Sequence, residues 1–127
     1  MKFARWVFLI AGILGLLPVL PLAYDTIANG EVILPDFAST GLFFYVFVFQ
    51  YVCWQILYIV LASDPVRYRP VMIPSFFVKV SAPFNPIWLF LYGFNYWIPI
   101  AVVDVVFAIL FLIAFWSAGR GLNKSAA

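Results

Sequence analysis

Apolar residues fill this chain in long unbroken runs, with polar positions gathered between the runs and only a few scattered inside them. A bilayer-crossing helix needs about 20 mostly apolar residues. Four runs reach that length: Phe3 to Tyr24, Thr40 to Ala62, Met72 to Phe94 and Trp97 to Ser117. Between them lie a loop from Asp25 to Ser39, a link from Ser63 to Val71 and a turn at Asn95 and Tyr96, with a tail from Ala118. The pattern predicts an all-α, integral membrane four-helix bundle in which residues 1–127 form one domain without a soluble module. The first run follows Lys2 and Arg5, as a signal peptide would. It is too long for the apolar region of one, and Pro18, Pro21 and Tyr24 occupy the stretch where a small-x-small cleavage site would follow, so a retained helix is expected.

Charge adds an orientation. Lys2 and Arg5, Arg67 and Arg69, and Arg120 and Lys124 all fall on one side of the expected bundle, whereas Asp25, Glu31 and Asp36 share the loop on the other. Cytoplasmic loops are enriched in Lys and Arg, so both termini are predicted cytoplasmic. Trp6, Tyr24, Tyr68, Tyr92, Tyr96, Trp97 and Trp116 near the expected interfaces suit the aromatic belt of a membrane protein.

Composition narrows the chemistry. The chain is 67% hydrophobic and 9% charged, against roughly a quarter charged in soluble domains, which excludes a water-soluble fold and a nucleic-acid partner. One cysteine excludes an internal disulfide, and the lack of histidine removes the commonest metal ligand and proton-transfer group. Neither a catalytic nor a metal constellation is present in the sequence, and it names no cofactor.

Ionisable side chains inside membrane spans are costly and are the best functional leads. Lys79 and Asp104 are the two here. Each lies seven residues inside its run, Lys79 from the cytoplasmic side and Asp104 from the outer side, which leaves their backbones about 10 Å apart in depth. Extended side chains, tilt or a water can close that gap into a pair. Lys79 can instead reach the interface along its own stem. Pro74, Pro83 and Pro86 interrupt the third run, so residues 73–83 either belong to the span or lie obliquely at the interface.

The second run carries Gln50 and Gln55, which point about 140° apart on a helix. Cys53, Trp54 and Leu57 share the Gln50 side, and that side is expected to face the bundle. Ala101, Asp104 and Ala108 form a small and polar stripe in the fourth run, Ser75, Lys79, Ala82 and Pro86 a similar one in the third, and Ala11 with Gly15 a small-residue pair in the first. A polar seam of Gln50, Trp54, Gln55, Lys79 and Asp104 shared by helices two, three and four follows. It is either a ligand site or a set of interhelical hydrogen bonds worth about 1 kcal/mol each.

The link, Ser63 to Pro70, is stiffened by Pro65 and Pro70, and Ser63 or Asp64 can cap a short turn. Arg67 and Arg69 sit at headgroup height, either gripping a lipid phosphate or simply anchoring the positive side. The sequon of Asn123, Lys124 and Ser125 lies on the expected cytoplasmic side and carries no weight.

The run DPVRYRPVMIPSFFVKV from Asp64 to Val80, preceded by FYVFVFQYVCWQILYIVLA, resembles a group of small bacterial four-helix membrane proteins, distantly similar to DoxX-like proteins. Trp54 and Gln55, Asp64 through Pro74, Lys79 and Asp104 carry the resemblance, which covers about 40–115. A glutamate usually precedes the third-helix lysine in that group, and Val78 stands there here. The resemblance implies a multi-pass protein of the bacterial inner membrane and no particular reaction.

Three functions follow. The first is an accessory or assembly subunit, without a catalytic site, whose partners are the lipid bilayer and a larger membrane complex or further copies of itself. The alternative is a binder or carrier of a lipophilic ligand (quinone, sterol or lipid) in the polar seam. The third, less favoured for want of a second intramembrane carboxylate, is a membrane enzyme or proton pathway using Asp104 and Lys79.

Overall fold

The computed structural model describes residues 2–29, 41–84 and 86–125, with side chains described except at 25, 26, 29, 41–45, 86–97 and 121–125. It is all-helical. Helix α1 spans Lys2–Asn29, α2 Gly41–Ser63, α3 Met72–Ser81 and α4 Pro86–Ser125, and 3-10 turns at Arg69–Val71 and Ala82–Phe84 flank α3. Within them Lys2–Tyr24, Val46–Ser63 and Ile98–Arg120 are long and apolar enough to cross a membrane. The acidic Glu31 and Asp36 of the first loop lie outside the described residues.

The third and fourth runs are divided differently from the expectation. Rather than 72–94 and 97–117 meeting at Asn95 and Tyr96, a ten-residue α3 gives way near Pro83 and a 40-residue α4 begins at Pro86. The physical reason is where amide donors are missing. Pro83 and Pro86 have none, and Pro86 takes the first helical position, where no donor is required. Asn95 and Tyr96 have theirs, so the helix runs through them. At about 15 Å, α3 is half the length of a span. It is neither a full crossing nor a loose interfacial segment, because Met72, Ser75 and Lys79 on one of its faces are buried. Ser75 donates its hydroxyl to the Val71 carbonyl, which satisfies it inside the helix.

Helices α1 and α2 are antiparallel and closely packed. A side-chain carbon on Gly12 would lie 2.7 Å from Ile59 Cγ1 and 2.8 Å from the Gln55 carbonyl oxygen, so the approach depends on glycine there. Ala11 and Gly15 share that buried face, as the small-residue pair implied. Phe8 stacks on Phe111 of α4 at 4.3 Å between centroids, and Tyr58 meets the same ring edge-on at 5.1 Å, tying α1, α2 and α4 into one core.

Helix α3 lies antiparallel to the C-terminal half of α4. Arg69 reaches Phe115 and Lys79 reaches Asp104, two contacts ten residues apart on one side and eleven on the other. The start of α1 borders the same groove as Ala62 and Ser63 at the end of α2, so Lys2, Arg5, Arg67, Arg69 and the Phe115 to Arg120 stretch gather at one end of the bundle. Outward faces are apolar: Trp6, Leu17, Val102, Ile109 and Trp116 are all exposed. Water would penalise such a surface, whereas lipid chains accept it.

Candidate functional site

Asp104 sits on the α4 face that also carries Ala108, Phe111, Ala114 and Ala118, all buried. Helical spacing therefore turns its carboxylate inward. Lys79, one turn beyond buried Ser75 on α3, meets it with Nζ donating to Oδ1 at 2.6 Å. Both residues are 4% exposed. The 10 Å offset expected from run boundaries disappears because α3 starts its register from the Arg69 contact rather than from a full-length span. The ammonium also stands 5.7 Å from the ring centroids of Tyr58 and Phe107, within cation–π reach. Charges buried this deeply need a partner, and each supplies it to the other.

Beside the pair opens a cleft of about 210 Å³. Ala11, Leu14, Gly15 and Pro18 of α1 form one wall, Pro99, Ile100, Val103 and Phe107 of α4 the other, and Tyr51, Lys79 and Asp104 complete it. Leu14, Pro18, Pro99 and Val103 are exposed, so the cleft opens between the outer faces of α1 and α4. An apolar pocket with few convergent polar groups is the usual composition of a small-molecule site.

The α2 side expected to face inward does so only in part, for Trp54 and Leu57 are partly buried, with Trp54 packed against the core. Gln50 and Cys53 are exposed, while Gln55 is 1% exposed with its amide against Gly15. The inward positions are Val48, Gln55, Tyr58 and Ala62, flanked by the partly buried Tyr51, a helical series that packs the bulky rings against α1 and α4. Gln50 and Trp54 instead line a second cleft of about 170 Å³ with Phe47, Tyr51, Val78, Ser81 and Ala82, between α2 and α3. The expected single seam is thus two clefts with Tyr51 bordering both. Lys79 and Asp104 belong to the first, Gln50 and Trp54 to the second, and Gln55 lines neither. Among the described residues, Gln55 Oε1 and Tyr58 Oη are buried without a hydrogen-bond partner.

The two link arginines also part company. Asp64 Oδ1 accepts from the Arg67 amide at 3.2 Å, capping the turn as expected, and the Arg67 side chain remains exposed. Arg69 is partly buried: its Nε donates to the Phe115 carbonyl at 3.0 Å, and its guanidinium lies 3.9 Å over the Phe115 ring. Gly119 makes room, since a side-chain carbon there would meet Arg69 Nη2 at 2.7 Å. Arg69 therefore fastens the link to α4, whereas the Arg67 side chain stays at the surface.

Sequence reasoning missed the part played by α1, together with Tyr51, Tyr58, Pro18 and Pro99. The series Val48, Tyr51, Gln55, Tyr58 and Ala62 was the available signal for the two tyrosines. Nothing comparable marked the two prolines as neighbours, because 81 positions separate them along the chain. Set against family models, curated proteins and solved structures, the chain matches none of them, and the meaning of the site rests on its own geometry.

Proposed function

We propose that this protein is a membrane-embedded binder of a lipophilic molecule with a polar head. The head lies against Lys79 and Asp104 and the tail leaves between α1 and α4. One observation carries the reading: the single ion pair among the described residues borders an otherwise apolar cleft whose mouth lies on an apolar outer face. Burying two charges is too costly to be a default route to stability. The cleft is smaller than the roughly 300–1,000 Å³ of typical drug-sized sites, which suits a compact head with its tail in lipid.

The gathering of Lys2, Arg5, Arg67, Arg69 and Arg120 at one end supports a cytoplasmic position for that end and for both termini, with α3 returning the chain so that α4 descends parallel to α2. The resemblance over Asp64 to Val80 supports a bacterial inner membrane.

The test is mass spectrometry of the protein in native nanodiscs, with Lys79→Met and Asp104→Asn beside the unaltered chain. A stoichiometric apolar molecule retained by the unaltered chain and lost from both variants is expected. Bulk lipid alone in all three, or a protein partner retained in all three, returns the chain to the accessory-subunit reading.

A further inference from the structure

The groove at the basic end, between the start of α1 and the end of α2, plays no part in the site at Lys79 and Asp104. Lys2, Arg5, Trp6 and Leu9 follow one another at helical spacing and supply its α1 side. Ile59, Ala62 and Ser63 do the same on α2. The helices meet at Gly12, where a side-chain carbon would lie 2.7 Å from Ile59 Cγ1, and that contact bounds the groove on its inner side. The groove holds about 570 Å³, within the roughly 300–1,000 Å³ of small-molecule sites. Leu9 of the groove and Pro18 of the cleft beside the ion pair are nine residues apart on α1, so the two openings lie on opposite faces of that helix.

Charge and polarity divide within the groove. Lys2 and Arg5 are exposed, and among the described residues neither pairs with an acid, nor does an acid line the groove. Ser63 gives its hydroxyl to the Val60 carbonyl at 2.6 Å, so the two cations carry the attraction for an anion. Farther in, Leu9, Ile59 and Ala62 form apolar walls, with the ring of Trp6 at the side.

We propose that this groove binds an anionic phospholipid, its phosphate between Lys2 and Arg5 and the start of one acyl chain along Leu9 and Ile59. The seven residues from Lys2 to Leu9 span about 10 Å, room for a phosphodiester and the first methylenes. Arg5 suits the phosphate because a guanidinium donates to two of its oxygens at once. A free phosphate would meet the same cations and leave the apolar walls uncovered, whereas a lipid covers both. A zwitterionic lipid brings a further cation beside Lys2 and Arg5, so the charge favours a headgroup that is negative overall. Neither Lys79 nor Asp104 takes part, so this proposal and the binding reading above stand or fall separately.

The test uses photoreactive phosphatidylglycerol and phosphatidylcholine, each with a diazirine in the acyl chain near the glycerol. Each is introduced at the same low mole fraction into phosphatidylcholine nanodiscs holding the whole protein, and labelled peptides are quantified by mass spectrometry. A Lys or Arg near an anionic headgroup is worth about fivefold in affinity, so phosphatidylglycerol should label the segments around Leu9 and Ile59 roughly 25-fold more strongly than phosphatidylcholine. Lys2→Gln with Arg5→Gln should erase that preference, and the fold is retained because both side chains are exposed and outside the core. Arg67→Gln, at an exposed cation that borders a different groove, should keep it. Excess inorganic phosphate, with ionic strength matched by chloride, should leave the labelling in place. Equal labelling by the two lipids overturns the proposal, as does a preference that survives the double variant. A preference weakened as much by Arg67→Gln as by the double variant also overturns it, since only the general field of the basic end would then be at work. Loss of the preference to inorganic phosphate overturns the lipid assignment in favour of a free anion.

Discussion

Two cations of one short stretch are held against α4 in contrasting ways. Arg69, at the basic end of the bundle, is partly buried and settles on a backbone carbonyl and the face of Phe115. Lys79, ten residues on, is enclosed and settles on a carboxylate. The difference is access to a polar exterior. Near an end, water and headgroups share in solvating a guanidinium, so a carbonyl and a ring suffice. In the middle, an ammonium must be neutralised by a formal charge, and that requirement brings an acid into α4 at the matching register. The end contact is therefore a fastening, and the middle contact a commitment of two helices to one another.

The sharpest way to break this contrast is to remove one member of each pair. Lys79→Met strands Asp104 in the interior and should lower stability by about 3–5 kcal/mol, read by denaturant titration in mixed micelles with tryptophan fluorescence. The double variant Lys79→Met with Asp104→Leu, which leaves no charge behind, should recover most of that loss. A double variant as unstable as the single one would mean that the pair contributes more than mutual neutralisation.

The glycines offer a second comparison. Gly12→Ala drives a carbon into the Gln55 carbonyl and should cost about 2 kcal/mol in the same titration, since neither helix backbone can yield without separating. Gly119→Ala meets only the movable head of Arg69, and better helix propensity should bring its net effect within about 0.5 kcal/mol of zero. The two link arginines offer a third comparison. Arg69→Ala should lose about 1 kcal/mol with its carbonyl and ring contacts, and Arg67→Ala nothing measurable, because its side chain is exposed and fastens nothing in the core.

Much of the fold was legible because a membrane span is a property of a single run. Residues 3–24 and 40–62 read as helices, and α1 and α2 occupy nearly those positions. The small-residue face of Ala11 and Gly15 and the stripe of Asp104 and Ala108 were legible for the same reason, periodicity within one helix. The turn placed at Asn95 and Tyr96 went astray because run length was weighed above the two prolines at 83 and 86, and the prolines govern where a backbone can stop being helical.

Lys79 and Asp104 stood out as the two buried ionisable candidates from cost alone, and that cost is a matter of sequence and solvent. Which face of α2 turned inward was not decided by its polar residues. Gln55 is buried because Gly15 on another helix leaves a place for its amide, and Gln50 is exposed because α1 lies on the other side. The cleft belongs wholly to the tertiary structure. Pro18 and Pro99 become neighbours only when α1 and α4 pack, and a cavity is the space that several helices fail to fill together. The sequence by itself thus determined α1 and α2, the apolar surfaces and the two charges that had to be matched. Packing alone decided the partner, the register and the opening beside them, since these depend on distances between segments that no local pattern encodes.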